Sequence, residues 1–127
     1  MTQTILIVED NDSNRLLLHD ILLYHGYMVL EAQNGSEGIA QAREASPNLV
    51  LMDIQMPGMD GITAAQVLKN DPATAQIKLI ALTSFAMKSD RERIMAAGFD
   101  DYITKPIDTR QLPLIVKRHL VDGEGND

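Results

Sequence analysis

Five residues carry the reactive chemistry of this sequence: Glu9, Asp10, Asp53, Thr83 and Lys105. Glu9-Asp10 follows the apolar run Thr4-Ile5-Leu6-Ile7-Val8, and Asp53 follows Leu49-Val50-Leu51-Met52. Thr83 follows Ile77-Lys78-Leu79-Ile80-Ala81-Leu82, and Lys105 stands between Asp101-Tyr102-Ile103-Thr104 and Pro106. Each lies where a short, mostly apolar run ends, the place at which a buried strand gives way to a loop. Three carboxylates brought together repel, and ionising all of them needs a cation. An ammonium and a hydroxyl beside them can neutralise and hydrogen-bond an incoming anionic oxygen. Taken singly, each residue has an ordinary role. Asp53 can turn a loop, Glu9-Asp10 can precede a helix as a solvated acidic pair, Thr83 can cap, and Lys105 can be plain surface. Their joint occurrence at four strand ends gives the chemistry its weight.

The elements that must position them follow from the same pattern. A first strand over Thr4–Val8 leads to a helix from about 14 to 25, capped by Asp12 or Ser13 and stopped at Gly26. Its apolar face is expected to hold Leu16, Leu17, Ile21 and Leu22, with Leu18 at the margin. Tyr27–Ala32 is a second strand. Ser36 caps a second helix to about Ala45, with Ile39, Ala40 and Ala42 inward, and Ser46-Pro47-Asn48 breaks it. After the strand that ends on Asp53, the loop Ile54–Asp60 leads to a helix over Gly61–Asn70 with Ile62, Ala65 and Leu68 inside. A fourth strand over Ile77–Leu82 and a loop over Ser84–Lys88 precede a helix ending at Ala97-Gly98. Asp101–Thr104 is a fifth strand. Asp108 and Gln111 match a capping box for a last helix running to about Val121, which Pro113 is expected to bend. Strand and helix alternate five times, which predicts an α/β fold: a five-stranded parallel sheet between two helical layers. Right-handed crossovers favour the flavodoxin-like order 2-1-3-4-5.

Composition bounds the function. The chain has 127 residues, 45% hydrophobic and 23% charged, enough for one domain with a real core. The formal net charge of −7 and the lack of a basic run argue against direct nucleic-acid binding. There is no cysteine, which excludes disulfides, thiolate metal sites and cysteine nucleophiles. No apolar run approaches a membrane span and no signal segment opens the chain, so a cytoplasmic location without membrane contact is expected.

In the order 2-1-3-4-5, strands one, three and four are central neighbours, and all five residues face one cleft. Oxygen-only ligands with room for waters suit Mg²⁺, which pairs readily with phosphate oxygens. Glu9-Asp10, Asp53, Thr83 and Lys105-Pro106 together resemble the signature of the receiver domain of two-component response regulators. The framing runs Ile5–Asn11, Leu51–Gly61 and Ile103–Pro106 are similar to that family too, and Thr83–Lys88 resembles its single-domain DivK-type members. The resemblance covers essentially the whole chain, with a receiver domain over residues 1–122 and a flexible tail over 123–127.

That resemblance implies a phosphorelay switch rather than a turnover enzyme. Asp53 would accept a phosphoryl group from a histidine kinase or a histidine phosphotransfer protein. Asp10, Asp53 and the backbone carbonyl of Gln55 would bind Mg²⁺, with Glu9 acting through a metal-bound water. Thr83 and Lys105 would contact the phosphoryl group, and the peptide before Pro106 would be cis. Thr83 and Tyr102 would switch conformation and alter a downstream protein contact on a face including Lys88, Arg91, Met95, Tyr102 and Ile103. Gln55 and Phe85 occupy positions that modulate hydrolysis in the family, and Phe85 would shield the phosphoryl group. Ser84 departs from the alanine common there, but it is still small. The start at Met1 and the short polar tail lead us to expect a stand-alone protein with no output domain in this chain, the alternative being a fragment of a larger regulator or hybrid kinase. Competing readings are a haloacid-dehalogenase-type phosphohydrolase, weakened because Gln55 stands where a second acid is needed, and an interaction module that is never phosphorylated. A flavodoxin-like cofactor binder is disfavoured because the acidic loop after the first strand repels phosphate in the absence of metal.

Overall fold

The computed structural model describes residues 2–84 and 87–124, with side chains through Leu120. Five strands form one parallel sheet in the order β2-β1-β3-β4-β5: β1 Thr4–Val8, β2 Met28–Ala32, β3 Leu49–Asp53, β4 Lys78–Thr83 and β5 Asp101–Thr104. The helices between and after them are α1 Asp12–Tyr24, α2 Gly35–Ala45, α3 Gly61–Asn70, α4 Lys88–Ala96 and α5 Gln111–Glu124. The expected topology is therefore the observed one.

Strand alternation divides the core in two. Leu6, Val8, Val50, Met52, Leu79 and Ala81 pack with Ile39 and Ala42 of α2, Ala64, Ala65 and Leu68 of α3, and Ile94 of α4. Ile5, Ile7, Leu49, Leu51, Ile80, Leu82 and Ile103 pack with Leu18 and Leu22 of α1 and with Leu112, Ile115, Val116 and Leu120 of α5. Because β3 is covered on both faces, all five of its residues are buried, the carboxylate of Asp53 included.

Several local expectations are corrected. Helix α1 begins at Asp12, and its cap is Asn11, whose side chain accepts from the Asn14 N–H. Asn34, not Ser36, caps α2 by accepting from the Glu37 N–H. In both cases the asparagine sits at the extended residue just before the helix, where a side-chain oxygen reaches the third N–H beyond it. Leu16 is 61% exposed and Leu17 is also exposed, because α1 turns only Leu18 and Leu22 fully onto the sheet. Ala40 is exposed likewise, and Gly38 takes the inward place beside Val8. Strand β2 starts one residue late at Met28, and β4 runs one residue further, to Thr83. Asp108 does cap α5, accepting from the N–H groups of Arg110 and Gln111. The Leu112 N–H already bonds the Asp108 carbonyl, so Pro113 stands just past the first turn from that cap, as expected, where the ring leaves the Thr109 carbonyl without its helical donor. The helix runs to Glu124, past the expected end at Val121, and residues 125–127 of the expected tail lie outside the described residues, as does Phe85.

One glycine ties the sheet edge to α3. The Gly61 N–H donates to the Ile54 carbonyl, and a Cβ at Gly61 would stand 2.4 Å from the Asp53 carbonyl oxygen and 2.8 Å from Ile54 Cα. Those neighbours are backbone and cannot swing aside. We expect Gly61→Ala to lower the unfolding free energy by about 2–3 kcal/mol, at the severe end of single substitutions. Urea unfolding would show this as a lower midpoint, whereas Gly26→Ala, where the strain is one of positive φ and no atom lies within 4 Å, should cost less.

Candidate active site at the sheet edge

The parallel register builds the site as a staircase. Val8 pairs with Met52, so Glu9 lies level with Asp53 on the adjacent strand ends. Asp53 pairs with Leu82, so Thr83 is one residue beyond it, and Thr83 pairs with Thr104, so Lys105 is one residue further still. Each step rises roughly 3.3 Å along the strand. The long Lys105 side chain reaches back down this staircase. Its Nζ lies 2.9 Å from Asp53 Oδ2 and 3.2 Å from Glu9 Oε1. The Lys105 N–H donates to the Thr83 carbonyl, which anchors the loop, and the Lys105–Pro106 peptide is cis.

The acids are fixed in different ways. Asp53 is 3% exposed, and its Oδ1 accepts from the Gln55 N–H at 3.2 Å, closing a turn that brings the Gln55 backbone to the edge. Glu9 is wholly buried. Its Oε2 accepts from the Asn11 N–H at 3.2 Å, whereas Oε1 has no hydrogen-bond partner among the described residues, although the Lys105 ammonium is near. Asp10 is exposed, and oxygens of Glu9, Asp10 and Asp53 all lie within 4.8 Å of one another.

Electrostatics register the crowding. Burial and the close Asp53 carboxylate push the Glu9 carboxyl up from 4.5 to about 7, against the opposing pull of the Asn11 N–H and Lys105. Burial works against the Lys105 ammonium, yet the hydrogen bonds and charges of Asp53 and Glu9 outweigh it, and its pKa is raised. One ammonium thus faces two buried acids with Asp10 beside them, and the buried Glu9 Oε1 has no hydrogen-bond partner among the described residues. Clustered carboxylate oxygens, one member open to solvent and one buried oxygen unpaired, are the donor set that a hard divalent cation of the Mg²⁺ type requires.

Thr83 is fully buried beside the acids. Tyr102 is half-buried against the α2–α4 side of the core, and its hydroxyl accepts from Arg91 Nη1 at 3.4 Å. Lys88, Arg91 and Met95 are exposed on α4, as a contact face needs. Ile103 is not part of that face. It is 3% exposed and packs under α5, because its side chain alternates to the opposite side from Tyr102. Sequence reasoning missed Arg15. Its guanidinium donates to the Glu9 carbonyl at 2.8 Å and pairs with Asp12 and with Glu31 of β2. The Asp12–Arg15 spacing of three was a visible signal, but the reach to Glu31 depends on β2 lying beside β1.

The response regulator receiver domain family matches residues 5–117, and the chain belongs to that family of two-component signalling switches. It is 41% identical over 123 residues to the polar-differentiation response regulator DivK of Brucella ovis, covering 97% of this chain and all of that one. Among solved structures it is similar to the receiver domain of a signal transduction histidine kinase from Syntrophus aciditrophicus, at 35% identity and TM-score 0.89, over 97% of this chain and 93% of that one. It is also similar to the receiver domain of a sensor histidine kinase from Pseudomonas aeruginosa, at 32% identity and TM-score 0.87, over 94% and 98% of the two chains. That structure has a magnesium ion coordinated in its active site cleft. No helix among the described residues is long and apolar enough to cross a membrane.

The Glu9 shift has a consequence for stability. In the unfolded chain Glu9 ionises near 4.5, in the fold near 7, so the folded state holds the extra proton between those values. Its contribution is therefore complete below pH 4.5 and is lost as pH rises through 7. In EDTA, the wild type should lose stability relative to Glu9→Gln between pH 5 and pH 8, read as diverging urea midpoints. A constant gap between the two proteins across that range would contradict the assignment.

Proposed function

We propose that Asp53 is the phosphoryl acceptor of this receiver, and that Glu9, Asp10, Asp53 and the Gln55 carbonyl hold Mg²⁺, Glu9 through a water. The observation that carries the reading is the Lys105 ammonium 2.9 Å from Asp53 Oδ2 within the acid cluster. When bound, Mg²⁺ offsets charge on the acids and on the transferring phosphoryl oxygens. The partner's phosphohistidine supplies the phosphorus. A carboxylate oxygen of Asp53 attacks it in line as the P–N bond breaks, leaving an acyl phosphate on Asp53 and a neutral imidazole once a proton reaches the histidine. Burial of Asp53 limits the carboxylate to the approach from the open edge. Lys105 then shifts its hydrogen bond from the carboxylate to a phosphoryl oxygen, and the Thr83 hydroxyl donates to another. Water attacking the phosphorus resets the chain.

The partners are a histidine kinase or a histidine phosphotransfer protein and, downstream, a protein that distinguishes the phosphorylated state. The reading has Thr83 and Tyr102 transmit that state to the α4–β5 surface by shifting a two-state population. It places the chain in the cytoplasm, acting as a switch rather than a turnover enzyme.

Intact-mass spectrometry after incubation with acetyl phosphate tests the acceptor. One phosphoryl adduct should form in the presence of Mg²⁺, vanish in EDTA and be absent from Asp53→Asn. A beryllofluoride titration covers rapid hydrolysis. An Asp53→Asn protein phosphorylated to the wild-type extent, or a wild type inert to both reagents, would overturn the assignment.

A further inference from the structure

Three polar atoms of Glu9 are hydrogen-bonded, and the fourth, Oε1, has no such bond but the Lys105 ammonium near it. Its N–H donates to the Ala32 carbonyl, one carboxylate oxygen accepts from the Asn11 N–H, and the other faces Lys105. Its carbonyl oxygen accepts from Arg15 Nη1 at 2.8 Å. That carbonyl belongs to the peptide joining Glu9 to Asp10. Its orientation therefore sets where the Asp10 carboxylate begins, and Asp10 is the one exposed member of the acid cluster.

Arg15 is itself held from three sides. Its side chain is 11% exposed although it stands on a surface helix. Nε pairs with Glu31 Oε1 at 3.2 Å, and Nη2 pairs with Asp12 in the first turn of α1. The second oxygen of Glu31 lies 2.6 Å from His19 Nδ1, one turn further along α1. The guanidinium thus clamps the end of β1, the start of α1 and the neighbouring strand β2 in one plane. A planar fork with several fixed donors can do this, whereas a single ammonium on a flexible stem cannot reproduce it.

We infer that Arg15 is a positioning residue for the divalent-cation site, fixing the Glu9–Asp10 peptide so that the Asp10 carboxylate points at Asp53. This rests on the reading of Glu9, Asp10 and Asp53 as a cation site. It also makes an unusual sign prediction. Arg15 is a cation near a cation site, so by charge alone its removal should tighten Mg²⁺ binding. By positioning, its removal should weaken binding, since the groups that orient metal ligands typically contribute 10–100-fold in affinity.

Calorimetric titration with MgCl₂ separates these outcomes, using wild type, Arg15→Ala, Arg15→Lys and Arg43→Ala. Arg43 supplies a control ion pair, with Asp71 at 2.8 Å on another part of the surface. We expect Arg15→Ala and Arg15→Lys each to raise the Mg²⁺ Kd by about tenfold, and Arg43→Ala to leave it unchanged. In acetyl phosphate assays the Arg15 variants should need correspondingly more Mg²⁺ for half-maximal rate yet reach a plateau near that of wild type. Thermal melts identify any variant that is unfolded at the assay temperature; if Arg15→Ala is, Arg15→Lys decides. Tighter or unchanged binding in a folded Arg15→Ala, or wild-type affinity in Arg15→Lys, overturns the inference. If the wild type binds no Mg²⁺, the cation-site reading fails first, and that is visible before any variant is compared.

Discussion

A single ammonium facing two buried carboxylates constrains everything else in this molecule. Lys105 can balance only one of Glu9 and Asp53, and Asp10 adds a third acid at the rim. Two unit charges about 4 Å apart repel by roughly 4 kcal/mol at an effective dielectric near 20. Left to itself, such a cluster would spread apart or hold protons more tightly, and the Glu9 carboxyl is pushed up to about 7 in the second sense. The acids remain together because each is fixed by backbone that the sheet has already ordered. The N–H of Glu9 extends the ladder to β2, and that of Ile54, next to Asp53, donates to the Leu82 carbonyl of β4.

The rest of the fold supplies the stability that this edge consumes. Both faces of β1, β3 and β4 are covered, and the two packed layers place Ile, Leu, Val and Met side chains out of water on either side of the sheet. Burial of that kind contributes about 25 cal/mol per Å² of apolar surface, far more in total than one strained acidic cluster costs. The periphery is pinned by polar contacts. At the far edge, Asp101 of β5 accepts from Arg118 Nη2 and hydrogen-bonds His119 Nε2 of α5, both at 2.8 Å, and these partners hold its carboxyl below the usual range despite burial. Lys69 of α3 donates to the carbonyls of Ala75 and Ile77 and so fixes the loop that feeds β4.

The division between what the sequence made legible and what it hid has a physical basis. The ends of β1 and β3 were legible because their apolar runs stop abruptly at Glu9 and Asp53, as a strand buried on both faces favours; β4 and β5, which begin on Lys78 and Asp101, carry the same signal more weakly. Topology followed from alternation and handedness. Helix starts were less legible: Asn11, Asp12 and Ser13 are all competent caps, and only the backbone path selects the first. Leu16 and Leu17 misled because a leucine-rich helix offers more apolar positions than a single sheet contact can cover. Ile103 misled for a different reason. Neighbours in a strand point to opposite faces, so it cannot share a surface with Tyr102. Arg15 was hidden because its partners come from three elements, and no local spacing reports a contact with Glu31 sixteen positions away.

The staircase register explains why this chemistry suits a parallel sheet. Glu9 and Asp53 are level, Thr83 is one residue higher and Lys105 one higher again. Raised by successive steps of roughly 3.3 Å, the backbones of Thr83 and Lys105 lie beyond those of the acids, and the Lys105 side chain reaches back to set its ammonium against Asp53 and Glu9. From β1 through β3 to β4 each strand ends one residue later than its neighbour, β5 ends level with β4, and Lys105 is the first residue beyond it, so the site needs no long loop to aim its side chains. The same geometry separates the two cationic supports of the edge. Lys105 meets the acids from the β5 side through its side chain, while Arg15 reaches the Glu9 backbone from the α1 side. On the proposed reading, a phosphoryl group arriving at Asp53 would displace the first of these contacts and leave the second in place. The ammonium contact and the backbone anchor are independent, so the peptide that carries two of the three acids is held from α1 whatever Lys105 contacts.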